Sequence, residues 1–310
     1  MINIKTLEAN TNFEDLYVLI HSTEKKFTTD GKMFLDFTFQ DITGTVNAKL
    51  WSASEKDYLE FVNGTIVKIA GDVTIFRKEN QIRIRKIELY EGMDVGHFLP
   101  SAPIEKDELI ERILNYTLKI ENNILRKIVD TIIDKYYEDF FIYPAASKNH
   151  HEYVSGLAHH VLGMLELCEF IISKHPMINK DLLYSGVILH DFGKVIELSG
   201  VVSTEYTTYG KLLGHITIAC NEIYSIAKEH KLEQLEEVML LQHMILAHHG
   251  KLEFGSPKLP FIMEAEILSI VDNLDARINM LESSLNGIDD TEFTSRLFAM
   301  ENRRFYKHSL

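Results

Sequence analysis

The spacing of apolar residues changes once along this chain, and no other feature constrains the fold as much. Up to about residue 91 the period is two. In "MFLDFTFQD", Met33, Leu35, Phe37 and Phe39 share one face, and Asp36, Thr38 and Gln40 the other, which is the alternation of a half-buried strand. "TVNAKLW" repeats it with Val46, Ala48 and Leu50, and "TIVKIAGDVTIF" and "QIRIRKIELY" are further β-branched runs. The last run changes phase, with Ile82 and Ile84 even but Ile87 and Leu89 odd, so a β-bulge is predicted near Lys86. Asp30-Gly31 marks a hairpin. Several short strands in about 90 residues suit a small closed barrel, and the OB-fold fits best.

Residues 92–105, "GMDVGHFLPSAPIE", have no period and hold two prolines, so they read as a linker. Beyond them the spacing is helical: "KDELIERILNYTLKI", "NNILRKIVDTIIDKYY", "SGLAHHVLGMLELCEFIISK", "KDLLYSGVILHD", "GKLLGHITIACNEIYSIAKEH", "LEEVMLLQHMILAHHG" and "FIMEAEILSIVDNLDARINMLESSL". The expected chain is multi-domain, β then α: a barrel over 1–91, the linker, and an all-α domain over 106–310.

Composition narrows the class. Hydrophobic content of 45% and charged content of 25% are ordinary for a globular protein. No apolar run approaches the roughly 20 residues that span a bilayer, and "MINIKTLEANTNFEDL" lacks the basic-then-apolar order of a signal peptide. Cys168 and Cys220 lie in helical segments without metal-site spacing, which argues against a disulfide framework. The expected location is the cytoplasm, with no membrane partner. A net charge of -14 argues against a generic nucleic-acid coat but leaves room for an enzyme with a local basic track. Arg77, Lys78, Arg83, Arg85 and Lys86 form the clearest basic cluster. A solvated hairpin is its plain alternative.

Of the 14 histidines, only His21 and His97 precede residue 150. Across the helical half the metal-capable residues read His160, His190-Asp191, His215, His248-His249 and Asp272. The order H…HD…H…HH…D resembles the HD-domain metal-dependent phosphohydrolase superfamily in its two-metal form. Within it, "HHEYVSGLAHH", "LHDFGK", "GHI", "LAHHG" and "VDNLDA" look like the YhaM family of bacterial 3'-5' exoribonucleases. That family also carries an OB-fold ahead of its HD domain, so the resemblance covers nearly the whole chain.

The resemblance implies two divalent ions. His160, His190 and Asp272 would complete one site, and His215, His248 and His249 the other. Asp191 would bridge them, because one imidazole nitrogen cannot bind two metals. Imidazole with carboxylate suits Mn, Fe, Co or Zn, with Mn expected, and the lack of cysteine ligands points away from structural zinc. Water between the ions would attack phosphorus. Lys194 lies one turn from Asp191, on the same face if the helix continues, and would hold a phosphate oxygen as a second catalytic group.

Any one of these histidines taken alone would more often be a satisfied core group; the ordered set reverses that. His160 rather than His159 flanks the apolar stripe Leu157, Val161, Met164, Leu165 and Cys168, since successive residues turn by about 100°. His243 sits about 140° around the helix from His248 and is read as core or surface. Asp275 shares the face of Asp272 and is either an alternative ligand or a partner that orients a ligand histidine. His150 and His151 either contact substrate phosphate or merely precede the helix.

Single strands bind OB-folds through strands 2 and 3, by stacking and a basic groove. Phe34 and Trp51 fall on the polar faces of their strands and suit stacking; packing against the HD domain is the alternative. The expected substrate is single-stranded RNA, with single-stranded DNA and self-association as further options. Competing functions are an HD phosphodiesterase for a small nucleotide or cyclic dinucleotide, and a binding protein whose metal site is only structural.

Overall fold

The computed structural model describes residues 2–77, 79–145, 153–202 and 204–310, apart from the side chain of Phe254. Lys78, His150 and His151 therefore lie outside the described residues. The chain divides into two compact units, Met1–Ser101 with Val202–Thr204, and Ala102–Val201 with Glu205–Leu310.

In the first unit, β1 (Asn12–Phe27), β2 (Met33–Asp41), β3 (Gly44–Trp51), β4 (Ile66–Phe76) and β5 (Glu79–Leu89) close a barrel in the order β1-β2-β3-β5-β4. The β3–β5 pair is parallel and the others antiparallel. Helix α1 (Glu55–Glu60) joins β3 to β4, and Ser54 and Asp57 cap it reciprocally. The inward residues of the alternating runs, among them Leu35, Phe37, Phe39, Ala48 and Ile82, are buried. In β5, Lys86 faces Ala70 and Ile84 faces Gly71, so Arg85 is the extra residue of a bulge beside the expected position.

Strand β1 was the hardest to see in the sequence. It pairs with β4 over Asn12–Leu19 and with β2 over Leu19–Phe27, and its register shifts between Phe13 and Leu16 and between Ile20 and Ser22. Each shift resets the inward face. Within the expected linker, Val95–Phe98 forms a 3-10 helix, and Phe98 and Leu99 are buried.

The second unit is helical: α2 (Lys106–Leu118), α3 (Asn123–Lys135), α4 (Tyr137–Ile142), α5 (Gly156–Lys174), α6 (Lys180–Leu189), α7 (Lys194–Glu197), α8 (Thr208–Glu229), α9 (Glu236–Ala247) and α10 (Met263–Asn286). Asn122 and Asn179 cap α3 and α6 through their side-chain oxygens. Helix α5 packs against α2, α4, α6 and α10, and Leu157, Val161, Met164, Leu165 and Cys168 are buried on it. This corrects one expectation: by length and composition α5 is apolar enough to cross a membrane. Its role at the centre of the helical core explains that composition. Cys168 and Cys220 are both free thiols.

Candidate metal centre

Two helix ends aim histidines at one point. Helix α6 stops at Leu189 and α9 at Ala247, so His190 and His248 are the capping residues. Each ring turns back on its own helix: Nδ1 of His190 donates to the Val187 carbonyl at 2.8 Å, and Nδ1 of His248 to the Ile245 carbonyl at 2.7 Å. These bonds satisfy carbonyls that a helix terminus leaves without partners. They also fix the tautomer, since a carbonyl only accepts; each Nε2 is left with its lone pair facing inward. Both helix C-termini present the negative ends of their dipoles to this point, which favours a cation there.

His215 arrives differently. Gly214 interrupts α8 with φ 71°, a left-handed conformation open to glycine, and the kink turns the next residue inward. Glu197 accepts from the His215 backbone N–H at 3.0 Å and from its Nδ1 at 3.1 Å. Gly193 lets the turn after Asp191 approach α8, because a Cβ there would lie 2.3 Å from the His215 carbonyl oxygen. From α5, His160 donates through Nδ1 to Asp275 at 2.6 Å, and its Nε2 lies 3.2 Å from Asp272 Oδ1.

The donors fall into two groups among the described residues: His160, His190 and Asp272, and His215, His248 and His249, with ligand atoms in each group within 4.8 Å of one another. Asp191 stands between them. Its Oδ2 is 3.3 Å from His190 Nε2, whereas Oδ1 is 3.4 Å from His215 Nε2 and 3.7 Å from His248 Nε2. His190 Nε2, His215 Nε2, His248 Nε2 and Asp191 Oδ1 are buried atoms without a hydrogen-bond partner. Native proteins seldom leave such atoms unsatisfied, so convergence of three imidazole nitrogens on one carboxylate fits a cation-binding role.

The electrostatics agree. Burial raises the pKa of Asp191, but Lys194 and His190 outweigh it and hold the carboxyl well below its ordinary value. Asp272 is likewise held low, His160 and His190 overcoming burial. Burial, with His190 and His249 nearby, keeps His248 neutral. Burial lowers His160, but Asp272 and Asp275 win and lift it to about 9. Without a cation its Nε2 therefore carries a proton toward Asp272, and a cation bound there would have to displace that proton.

The helix does not continue through Asp191 as the Lys194 expectation allowed. A turn intervenes, with the Lys194 N–H donating to the Asp191 carbonyl at 3.0 Å, and it still brings Lys194 Nζ to 2.5 Å from Asp191 Oδ2. His159 is not with the ligand histidines; its Nδ1 pairs with the Tyr153 hydroxyl at 2.7 Å. His243 Nε2 accepts from the Phe261 N–H at 3.0 Å, and its ring stacks on Phe261. Glu197 was missed by sequence reasoning; the signal was one acid inside the apolar run "KVIEL".

On the barrel, Phe34 and Trp51 are directly opposed across β2 and β3, with ring centroids 4.8 Å apart. Lys49 Nζ lies 5.4 to 5.6 Å from the Phe34, Trp51 and Phe76 rings, and Arg77 lies 5.3 Å from Phe76. Lys49 and Phe76 were not anticipated. Trp51 is 43% exposed but Phe34 only 8%, so Phe34 backs Trp51 and is not itself an open stacking face. The basic cluster is also thinner than its sequence suggests. Arg85 pairs with Glu14 at 2.8 Å and Asp72 at 3.4 Å, and Lys86 with Glu88 at 2.7 Å. Arg83 is exposed.

Residues 157–277 match the HD domain, and residues 16–90 match an OB-fold nucleic acid binding domain. The chain is 49% identical over 296 residues to the 3'-5' exoribonuclease YhaM of Geobacillus sp. (strain WCH70), covering 94% of this chain and 91% of that one. It is 47% identical to the 3'-5' exoribonuclease YhaM of Bacillus licheniformis, covering 94% of each. With nearly half its residues shared along almost its whole length, this chain belongs to the YhaM family, a two-unit assembly of OB-fold and HD domain.

Proposed function

We propose that the protein shortens single-stranded RNA from its 3' end, releasing nucleoside 5'-monophosphates, with two divalent ions held in the helical unit. The observation that carries this reading is Asp191, whose two carboxylate oxygens face different histidine groups. A carboxylate can serve two cations, whereas an imidazole nitrogen serves one. His160, His190 and Asp272 would hold one ion and His215, His248 and His249 the other, with Asp191 common to both. Ions bound there supply a water of lowered pKa and neutralise the charge developing on phosphate. Manganese suits so imidazole-rich a donor set, as do Fe, Co and Zn, whereas Mg prefers oxygen ligands and its own waters.

Lys194 holds a phosphate oxygen as a compact point charge, and Asp191 keeps it aimed until substrate arrives. Asp275 and Glu197 fix the rings of His160 and His215. Asp275→Ala should therefore lower metal affinity by about 10- to 100-fold in a folded protein; unchanged metal content and rate would remove it from that role. The barrel grips single strands through the exposed Trp51, with Lys49, Arg77 and Arg83 on phosphates. DNA strands share the phosphodiester and the stacking faces. RNA turnover also fits the cytoplasm as its place of action.

The test is metal-stripped protein, checked by elemental analysis, incubated with 5'-labelled single-stranded RNA. Added manganese should restore a ladder shortened from the 3' end, and magnesium should restore less. Full activity in magnesium alone contradicts the two-ion reading, and inertness on RNA with turnover of cyclic dinucleotides contradicts the substrate.

A further inference from the structure

A cavity of about 540 Å³ opens on the metal centre, within the roughly 300–1,000 Å³ of small-ligand sites. Asp191, His249 and Asp272 line one part of it, and Arg277, Phe298 and Glu301 another. The last two belong to a C-terminal clasp. Its arms pair through the Thr291 N–H to the Lys307 carbonyl at 2.7 Å, Thr294 to Phe305 at 2.9 Å and Leu297 to Arg303 at 3.0 Å. Buried Thr294 and Met300 anchor it.

The clasp tip is the 3-10 helix Phe298–Met300, followed by Glu301 and Asn302 with φ of 53° and 57°. Successive left-handed residues other than glycine are costly and persist only where their surroundings hold them. Here Glu301 accepts from Arg277 of α10 at 3.1 and 3.3 Å, and it pairs with Arg303 at 2.7 Å. This lock presents Phe298 in the cavity wall with 86% of its surface exposed. A large ring held open costs solvation and contributes nothing to the core. Its position beside the metal centre supplies a use.

We infer that Phe298 is the stacking surface for the base of the terminal nucleotide, and that the Arg277–Glu301 lock is the positioning device that presents it. The inference rests on the exonuclease reading above. An enzyme that removes every nucleotide in turn needs a grip that tolerates any base. Stacking provides it, because every base has a π-face, whereas a hydrogen-bonding pocket would reject mismatched edges.

The test compares binding of adenosine 5'-monophosphate and ribose 5-phosphate to the manganese-loaded full chain by calorimetry. Both carry the phosphate, but only one carries a base. Wild type should prefer the nucleotide by about 5- to 150-fold, the range that base–aromatic stacking carries. Phe298→Ala should erase that preference while leaving ribose 5-phosphate affinity unchanged, and Phe298→Tyr should keep it. Glu301→Ala should weaken the preference, and adding Phe298→Ala should then complete its loss. Retention of the preference in Phe298→Ala, its absence in wild type, or equal weakening of both ligands overturns the inference. Failure of the exonuclease reading looks different: intact ligand preferences in a protein inert on RNA.

Discussion

Asp191→Asn should be the most damaging single substitution in this chain. It should lower turnover on RNA by more than the roughly 10- to 100-fold expected when a partner outside the ligand set is lost. The amide keeps one carbonyl oxygen and replaces the other with an NH2 group, which cannot face a cation. One of the two histidine groups therefore loses its share of the carboxylate, and the negative charge between them disappears. The change also strips Lys194 of its counterion. Both side chains are nearly buried, at 12% and 4% exposure, and leaving one member of such a pair alone costs on the order of 3–5 kcal/mol. The metal-free variant should therefore also melt earlier at neutral pH. Elemental analysis, kcat on RNA and a thermal midpoint together decide it; near-normal metal content and rate would mean Asp191 is not shared between two ions.

Lys194→Ala should separate turnover from metal binding. Lys194 is not among the grouped donors, yet it lines the same cavity. Its loss should leave two ions bound and cut kcat by about 10²- to 10³-fold, as when one fixed donor to a transition-state oxygen is removed. Lys194→Arg should rescue only partly, because a planar guanidinium does not occupy the place of a compact ammonium. Wild-type kcat in a metal-loaded Lys194→Ala protein would exclude it from the chemistry.

Much of this arrangement was legible in the sequence because helices and alternating strands encode faces directly. The stripe through Leu157 and Val161 was enough to put His160 inward and His159 elsewhere. The order of histidines then carried a resemblance to two-metal HD enzymes, and that resemblance implied groups of residues more than a hundred positions apart. What stayed hidden was irregular. Strand β1 lost its period to two register shifts. Glu197 reaches His215 only because Gly214 breaks a helix, and the depth of Phe34 depends on the ring opposite it. The neutralised Arg85 shows a similar limit, since a basic run does not reveal which acids neighbouring strands bring beside it. The clasp was least visible, because its arms have no period and its tip depends on two strained residues and an ion pair.

On the proposed function, the metal centre cuts the last phosphodiester of an RNA strand and leaves the phosphate on the departing nucleotide. The direct measurement uses RNA with one radiolabelled phosphate, placed between its last two nucleotides, followed from the earliest times in manganese. The first labelled product should be a nucleoside 5'-monophosphate. Label remaining on the shortened strand as a 3'-phosphate, or appearing first in oligonucleotides, would contradict it.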